Sequence, residues 1–250
     1  KKIPTFTVGF KNVSNYYDES YNAKKISKYY GFHNKTIYLN QKNILKSIDN
    51  VLDANDEPFA DSSSIAMYMI SNTVKNDIKV ALTGDGGDEL FGGYRKYISY
   101  KWLTVINFLP NNIRKLLIRL LSDQKESNTL DLMRKMKRFL TNYDSDLDIM
   151  QINYLEQLSN IEFNQLFGLE KKCLPKNIFK GTQSFKGINK ILARDFKFSL
   201  LGDMLVKLDR QSMANGLEVR SPLLDQDLVK LSFEVPGKEK VGFLNGKKIL

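Results

Sequence analysis

Ile78-Lys79-Val80-Ala81-Leu82-Thr83, continuing as Gly84-Asp85-Gly86-Gly87-Asp88-Glu89-Leu90-Phe91-Gly92-Gly93-Tyr94, carries the strongest architectural signal in the chain. Its first part is a short apolar run of strand type, and a glycine-rich loop follows. Parallel α/β folds place ligands just beyond the carboxyl ends of their strands, so this loop stands where a binding site is expected. Gly84, Gly86 and Gly87 leave backbone N–H groups unobstructed and able to turn toward phosphate oxygens. Asp85, Asp88 and Glu89 would repel such an anion unless a cation lies between them. The combination therefore suggests Mg²⁺ bridging Asp85 or Asp88 to the phosphates of a nucleotide. No Gly-Lys-Ser/Thr follows, which excludes a Walker A loop, and the third glycine of a dinucleotide fingerprint would fall at Glu89. A tight acidic turn with solvated carboxylates explains the spacing equally well.

Upstream, residues 3–10 read as a strand, 18–30 as a helix, 35–39 as a strand and 43–52 as a helix. A carboxylate-dense loop, Asp53-Ala54-Asn55-Asp56-Glu57-Pro58, leads to a helix over 62–74 that the Ser62-Ser63-Ser64 run is expected to cap. Strands alternating with helices predict a parallel sheet covered on both faces. Downstream the pattern turns helical. Trp102, Ile106 and Leu109, then Ile113, Leu116, Leu117, Leu120 and Leu121, fit amphipathic helices broken at Pro110, and 143–158 and 188–208 also read as helices. The division expected is an α/β nucleotide-binding core over 1–97, a mostly helical region over 98–195 and a helical return over 196–250, together one domain. The chain opens on Lys1 in a strand-like run and stops at Gly246-Lys247-Lys248-Ile249-Leu250, where a helix is expected to begin. It is therefore expected to be a segment truncated at both ends.

The 250 residues suffice for one large domain or two small ones with a real core. The single Cys173 excludes an intramolecular disulfide and a Cys-rich zinc site, and the single His33 excludes a site needing two histidine ligands. Cys173 reads as a buried or incidental thiol and His33 as a solvent-facing loop residue. With 42% hydrophobic and 26% charged residues the composition is that of an ordinary globular chain. No apolar run reaches the ~18 residues of a membrane span. The net charge of +10 raises nucleic-acid binding as a question. The densest basic segment, residues 171–197, lacks an RNP-like or helix-turn-helix signature, so scattered surface lysines are the preferred reading.

A second informative stretch runs from Leu205-Val206-Lys207-Leu208-Asp209-Arg210-Gln211-Ser212-Met213-Ala214 to Leu217-Glu218-Val219-Arg220-Ser221-Pro222-Leu223-Leu224-Asp225. Leu201, Leu205 and Leu208 form an apolar stripe, and Asp203, Lys207 and Arg210 share another face at i, i+4, i+7. Composition alone favours a surface ion-pair network there. Glu218, Arg220 and Asp225, flanking Pro222, would equally form a salt-bridged turn.

These residues also carry a family resemblance. Thr83–Tyr94 resembles the S-G-[DE]-G-[GS]-D-E-x-F-G-G-Y motif of glutamine-dependent asparagine synthetases, and Asp209–Asp225 resembles their D-R-x-S-M-A-x-x-L-E-x-R-x-P-F-L-D. Thr5–Phe10 with Asp18-Glu19-Ser20, and Asp56–Ser63, are similar to two further segments in the same order. The likeness spans nearly the whole chain and is weakest from about 100 to 195. It implies an α/β fold of the adenine nucleotide alpha hydrolase-like, ATP pyrophosphatase type. It implies adenylation of a carboxylate, aspartate above all, by ATP with Mg²⁺, followed by attack of ammonia from a glutaminase domain of the same full-length chain.

By the same resemblance, Val8 and Gly9 would hold the adenine, Thr83 and Gly84 would lie beside the nucleotide, and Asp88 would bind Mg²⁺ and pyrophosphate. Asp85 would orient or deprotonate the attacking amine. Asp203 or Asp209 would stand toward the substrate. Lys247, with Lys248 as the other candidate, would stabilise charge as the adenylate forms. Glu89, Arg210, Glu218, Arg220 and Asp225 would be structural or substrate-side residues. A cytoplasmic location and a homodimer are further expectations, with no membrane or nucleic-acid partner. The family's S-G-G-x-D-S pyrophosphate loop and glutaminase nucleophile occur nowhere in these residues, so this stretch alone is expected to be inactive. Rival readings are a relative that amidates a sugar acid or closes a β-lactam ring, and a non-catalytic binding or regulatory homologue.

Overall fold

The computed structural model describes residues 3–10, 18–107, 110, 112–113, 116, 147–155, 160–168 and 179–250. In chain order the elements are β1 (Pro4–Phe10), α1 (Ser20–Tyr29), β2 (His33–Leu39), α2 (Gln41–Asp53), α3 (Ser63–Val74), β3 (Val80–Leu82), α4 (Gly87–Phe91), α5 (Arg95–Asn107), α6 (Leu147–Leu155), α7 (Asn160–Phe167) and α8 (Gly187–Asp195). A π-helix (Phe196–Met204), α9 (Leu205–Met213), β4 (Glu218–Arg220), a 3₁₀ turn (Pro222–Leu224), α10 (Gln226–Glu234) and α11 (Gly237–Lys240) complete the series. They form two compact units, each built from two stretches of chain: residues 1–86 with 197–225, and residues 87–196 with 226–250.

The first unit is α/β. Its strands are parallel, as the alternation of elements predicts, but among the described residues they form two separate pairs, β1 with β2 and β3 with β4, not one continuous sheet. Gly9 stands opposite Tyr38, and a Cβ there would lie 2.7 Å from the tyrosine ring, so any larger residue would have to displace that ring. Asn34 ties the pair with side-chain hydrogen bonds to Thr5 (3.2 Å) and Thr7 (3.1 Å). Asn40 caps α2 by accepting from the Asn43 N–H at 2.9 Å. The expected serine cap on α3 is replaced: Ser62 makes no side-chain cap bond, and Asp61 Oδ1 accepts the Ser63 N–H at 2.8 Å instead. Leu39, Val51, Val74, Leu208 and Leu217 are buried, and so are Ser27, Ser71, Gln211 and Ser212. α1 buries Ser20 and Ser27 while Tyr21 and Tyr29 stay exposed.

The described residues of the second unit are mostly helical. Tyr97, Tyr100, Met150, Ile191, Leu192 and Val241 form its apolar core. A buried polar network braces it. Asp195 accepts from Gln151 at 3.1 Å and pairs with Lys96 at 2.7 Å, while Arg194 reaches Gln151 at 3.1 Å and Asp148 at 2.7 Å and stacks over Phe179.

Three local expectations change. The helix predicted over 188–208 is α8, a nine-residue π-helix and then α9, because no residue type marks an i→i+5 register. His33 opens β2 instead of a loop, its N–H bonding the Ile3 carbonyl at 3.1 Å, although it is exposed as expected. Gly246–Leu250 turns back on itself instead of starting a helix, closed by the Leu250 N–H on the Lys247 carbonyl at 3.1 Å. Cys173 and most of the helices expected between Pro110 and Asp146 lie outside the described residues.

Candidate active site

In the helical unit, α4 is a single short turn that carries Asp88 and Glu89 at its start, where carboxylates suit the N–H ends. The Asp88 carbonyl closes the turn by accepting from Gly92 N (2.8 Å) and Gly93 N (3.0 Å). Gly92 has φ +74°, a conformation glycine adopts freely. Asp88 Oδ1 then meets Lys247 Nζ at 3.0 Å, both side chains being partly exposed. Three features hold Lys247 there. Its N–H bonds the Phe91 carbonyl at 3.2 Å, Gly242 N bonds Asn245 O at 2.7 Å, and Lys248 N bonds Lys240 O at 3.0 Å. Gly246 packs so tightly on the Gly92 carbonyl that any Cβ would overlap it, and a Cβ on Gly93 would overlap both Asp88 Oδ1 and Lys247 Cε.

Lys247 has φ +49°, alone in that region among the non-glycine residues described. A left-handed lysine costs of order 1–2 kcal/mol, which marks this position as one held by its surroundings. Lys248 turns elsewhere, its ammonium 3.4 Å from the Lys238 carbonyl. Glu89 is 1% exposed and accepts the Tyr94 hydroxyl at 2.7 Å. Burial raises its pKa, and Asp88 and Asp195 add to the rise against the Tyr94 hydrogen bond.

In the α/β unit, Thr83 leaves β3 with its N–H on the Arg220 carbonyl at 2.9 Å, which anchors the loop to β4. Its hydroxyl donates to Asp85 Oδ2 at 2.5 Å. Gly84 is exposed with nothing near the place of a Cβ, whereas a Cβ at Gly86, φ +89°, would overlap Leu224. Val8 is half-buried on β1 beside the buried Gly9. Asp203 is half-buried in the π-helix; its Oδ1 lacks a hydrogen-bond partner, and burial, then repulsion from Asp61, raises its pKa.

The pattern Asp203, Lys207, Arg210 is not a self-contained ion-pair network. Lys207 reaches Asp61 Oδ2 and Ser63 Oγ, each at 2.8 Å, and Arg210 pairs with Asp56, both partners lying in or just beyond the carboxylate-dense loop. Asp209 and Asp225 are exposed. Glu218 and Arg220 pair with each other at 2.7 Å on β4, a solvent-facing ion pair along a strand and not across a turn. The sequence places Lys207 on a charged helix face and Ser63 in a cap run, but does not show that Lys207 meets Asp61 and Ser63. Gly93 and Gly246 were also missed as site residues, since a glycine needed for close approach looks like any turn glycine.

No group of three or more His, Cys, Asp or Glu side chains able to enclose a metal occurs among the described residues. Mg²⁺ carried by a nucleotide takes one or two protein carboxylates and fills its remaining positions with phosphate oxygens and water. Asp88, a partly exposed carboxylate with a lysine beside it, fits that role. No helix described is long and apolar enough to cross a membrane.

Comparison with known proteins agrees with the motifs. The chain is 28% identical over 240 residues to asparagine synthetase [glutamine-hydrolyzing] 1 of Bacillus subtilis (strain 168), covering 95% of this chain and 37% of that protein. It is 28% identical over 215 residues to a putative asparagine synthetase [glutamine-hydrolyzing] 2 of Methanocaldococcus jannaschii, covering 85% and 40%. A putative asparagine synthetase [glutamine-hydrolyzing] of Mycobacterium bovis is 26% identical over 191 residues, covering 74% and 28%. The chain thus spans well under half the length of these relatives. The asparagine synthase family model matches residues 1–250 from end to end, and the chain belongs to the asparagine synthase family.

Proposed function

We propose that this chain is the synthetase portion of an enzyme that amidates a carboxylate, aspartate first among candidates, through an acyl-adenylate formed from ATP. The observation that carries this reading is the Asp88–Lys247 pair, held by two glycines without room for a Cβ and by a lysine in a left-handed backbone. Attack of a carboxylate on the α-phosphorus builds negative charge on the phosphoryl oxygens. A preorganised ammonium lowers that barrier without having to reorganise. Mg²⁺, when bound with the nucleotide, would supply charge neutralisation at the departing pyrophosphate. Asp88 would hold that end of the nucleotide, and Lys247 rather than Lys248 would answer the phosphoryl charge, since Lys248 is turned to the Lys238 carbonyl.

Asp203 rather than Asp209 suits the substrate side, being half-buried with an unpartnered oxygen while Asp209 is exposed. Thr83, Gly84, Val8 and Gly9 take the nucleotide roles of the family, and Asp85, positioned by the Thr83 hydroxyl, the amine-orienting one. Ammonia would come from a glutaminase domain, as the relatives' names imply. The test is AMP release by the full-length protein with ATP, ammonia and a panel of acids. Aspartate-dependent AMP that disappears in Asp88→Asn and in Lys247→Met is expected. AMP release with a sugar acid or a β-amino acid alone would redirect the substrate, and wild-type turnover in either variant would overturn the site.

A further inference from the structure

The helical unit contains a cleft of about 580 Å³ that shares no residue with the Asp88–Lys247 pair. Clefts of roughly 300–1,000 Å³ are of the size that takes small molecules. Phe185, Ile188 and Phe233 give it apolar walls, Lys101, Lys186 and Lys238 also line it, and no Asp or Glu is among its described lining residues. Residues 187–189 of the first turn of α8 also line the cleft, and the N-cap residue Lys186 has no side-chain acceptor with which to cap that turn. Such a turn favours an anion.

Two buried polar atoms here have no hydrogen-bond partner among the described residues. Asn189, itself lining the cleft and 9% exposed, donates to the carbonyls of Phe233 (3.1 Å) and Val235 (2.9 Å) and leaves its Oδ1 unused. Lys240, 0% exposed, has its unpaired Nζ 5.0 Å from the centre of the Phe233 ring, so a fourth cation stands behind the apolar wall. Burial, then repulsion from Lys248, lowers the pKa of Lys101, with Glu239 acting in the opposite sense. A bound anion would relieve that crowding of positive charge.

We infer that this cleft binds a small amphipathic anion: an aromatic or acyl body bearing one carboxylate or sulfonate. The apolar walls take the body, the lysines and the α8 N–H groups take the anionic head, and a donor on the body would answer Asn189 Oδ1. The probe is 8-anilinonaphthalene-1-sulfonate, which has all three features. The single tryptophan, Trp102, follows Lys101 on α5 and reports binding by energy transfer to the dye. Saturable one-site binding is expected, weakened by salt, displaced by octanoate and not by inorganic phosphate. Lys186→Glu with Lys238→Glu, both at exposed positions, should weaken it about tenfold or more. Ser184→Tyr, which puts a phenol ring at the cleft wall, should weaken it, while Tyr29→Ser with Tyr30→Ser, two exposed tyrosines at the carboxyl end of α1, should leave it unchanged. If the charge reversal disturbs the far-ultraviolet spectrum, the Lys→Gln pair replaces it. Unsaturable binding, affinity that survives loss of both lysines, displacement by phosphate alone, or loss in the Tyr29→Ser, Tyr30→Ser variant would overturn the inference.

Discussion

A methyl group at position 93 would collide with Asp88 Oδ1 and Lys247 Cε together, so the pairing of those two side chains depends on an atom that is missing. Gly93→Ala should therefore cost AMP formation about a hundredfold, the usual scale for displacing one preorganised donor, with little change in melting temperature because the pair is partly exposed. Lys247→Gly separates strain from purpose. The substitution releases a left-handed backbone and deletes the ammonium, so stability should hold or rise while activity falls. Calorimetry beside an AMP assay reads both. The motif around Asp88 was legible because its residues are contiguous. The meeting with Lys247 was not, since nothing in Gly246-Lys247 by itself says which backbone it will touch.

At the scale of elements, strand-then-loop reasoning placed β1, β2 and β3 correctly because short apolar runs flanked by glycine and polar residues have few alternatives. The ladder partner of β3 was another matter. Glu218-Val219-Arg220 is a three-residue strand whose apolar content is one valine, and its pairing shows only once Thr83 and the Arg220 carbonyl are seen to meet. The start of α3 joins distant elements in the same way: Asp61 caps the helix and Lys207 from α9 neutralises it. Burial pushes the Asp61 carboxyl up, yet the hydrogen bonds from Lys207 and Ser63 prevail and its pKa falls below the ordinary value. A lowered carboxyl stabilises the fold above the ordinary carboxylate range and loses that contribution as the pH drops through its folded value, below about 4. Lys207→Met should remove the contribution at neutral pH and leave Asp61 facing Asp203, at about 2–3 kcal/mol in urea melts.

For the whole molecule, apolar periodicity predicts helices after Tyr94 but says nothing of the charged residues buried among those described. Asp195 and Arg194 look like ordinary helix-surface charges until Gln151, Asp148 and Lys96 close around them. Lys240 is the sharper case, a lysine in the core with no hydrogen-bond partner, whose pKa burial lowers to about 8. Below that pH both folded and unfolded chains carry the proton and the penalty is constant. Between about 8 and 10.5 the unfolded chain binds more protons, so this group makes stability climb with pH. Lys240→Met should be the more stable protein at pH 7, by of order 3 kcal/mol, and its advantage should shrink toward pH 10 when the two are melted side by side.

The two strand pairs carry a consequence of a colloidal kind. Parallel strands ordinarily lie between covered faces, yet Val80 and Leu82 on β3 are 46% and 74% exposed. Each described strand also has a ladder partner on one side only. Open backbone groups beside bare aliphatic side chains are a template for any strand that arrives, including the same strand of a neighbouring copy. The net charge of +10 keeps copies apart at low ionic strength, and added salt removes that protection. Concentrated solutions of this chain are thus most exposed to edge-to-edge association at high ionic strength.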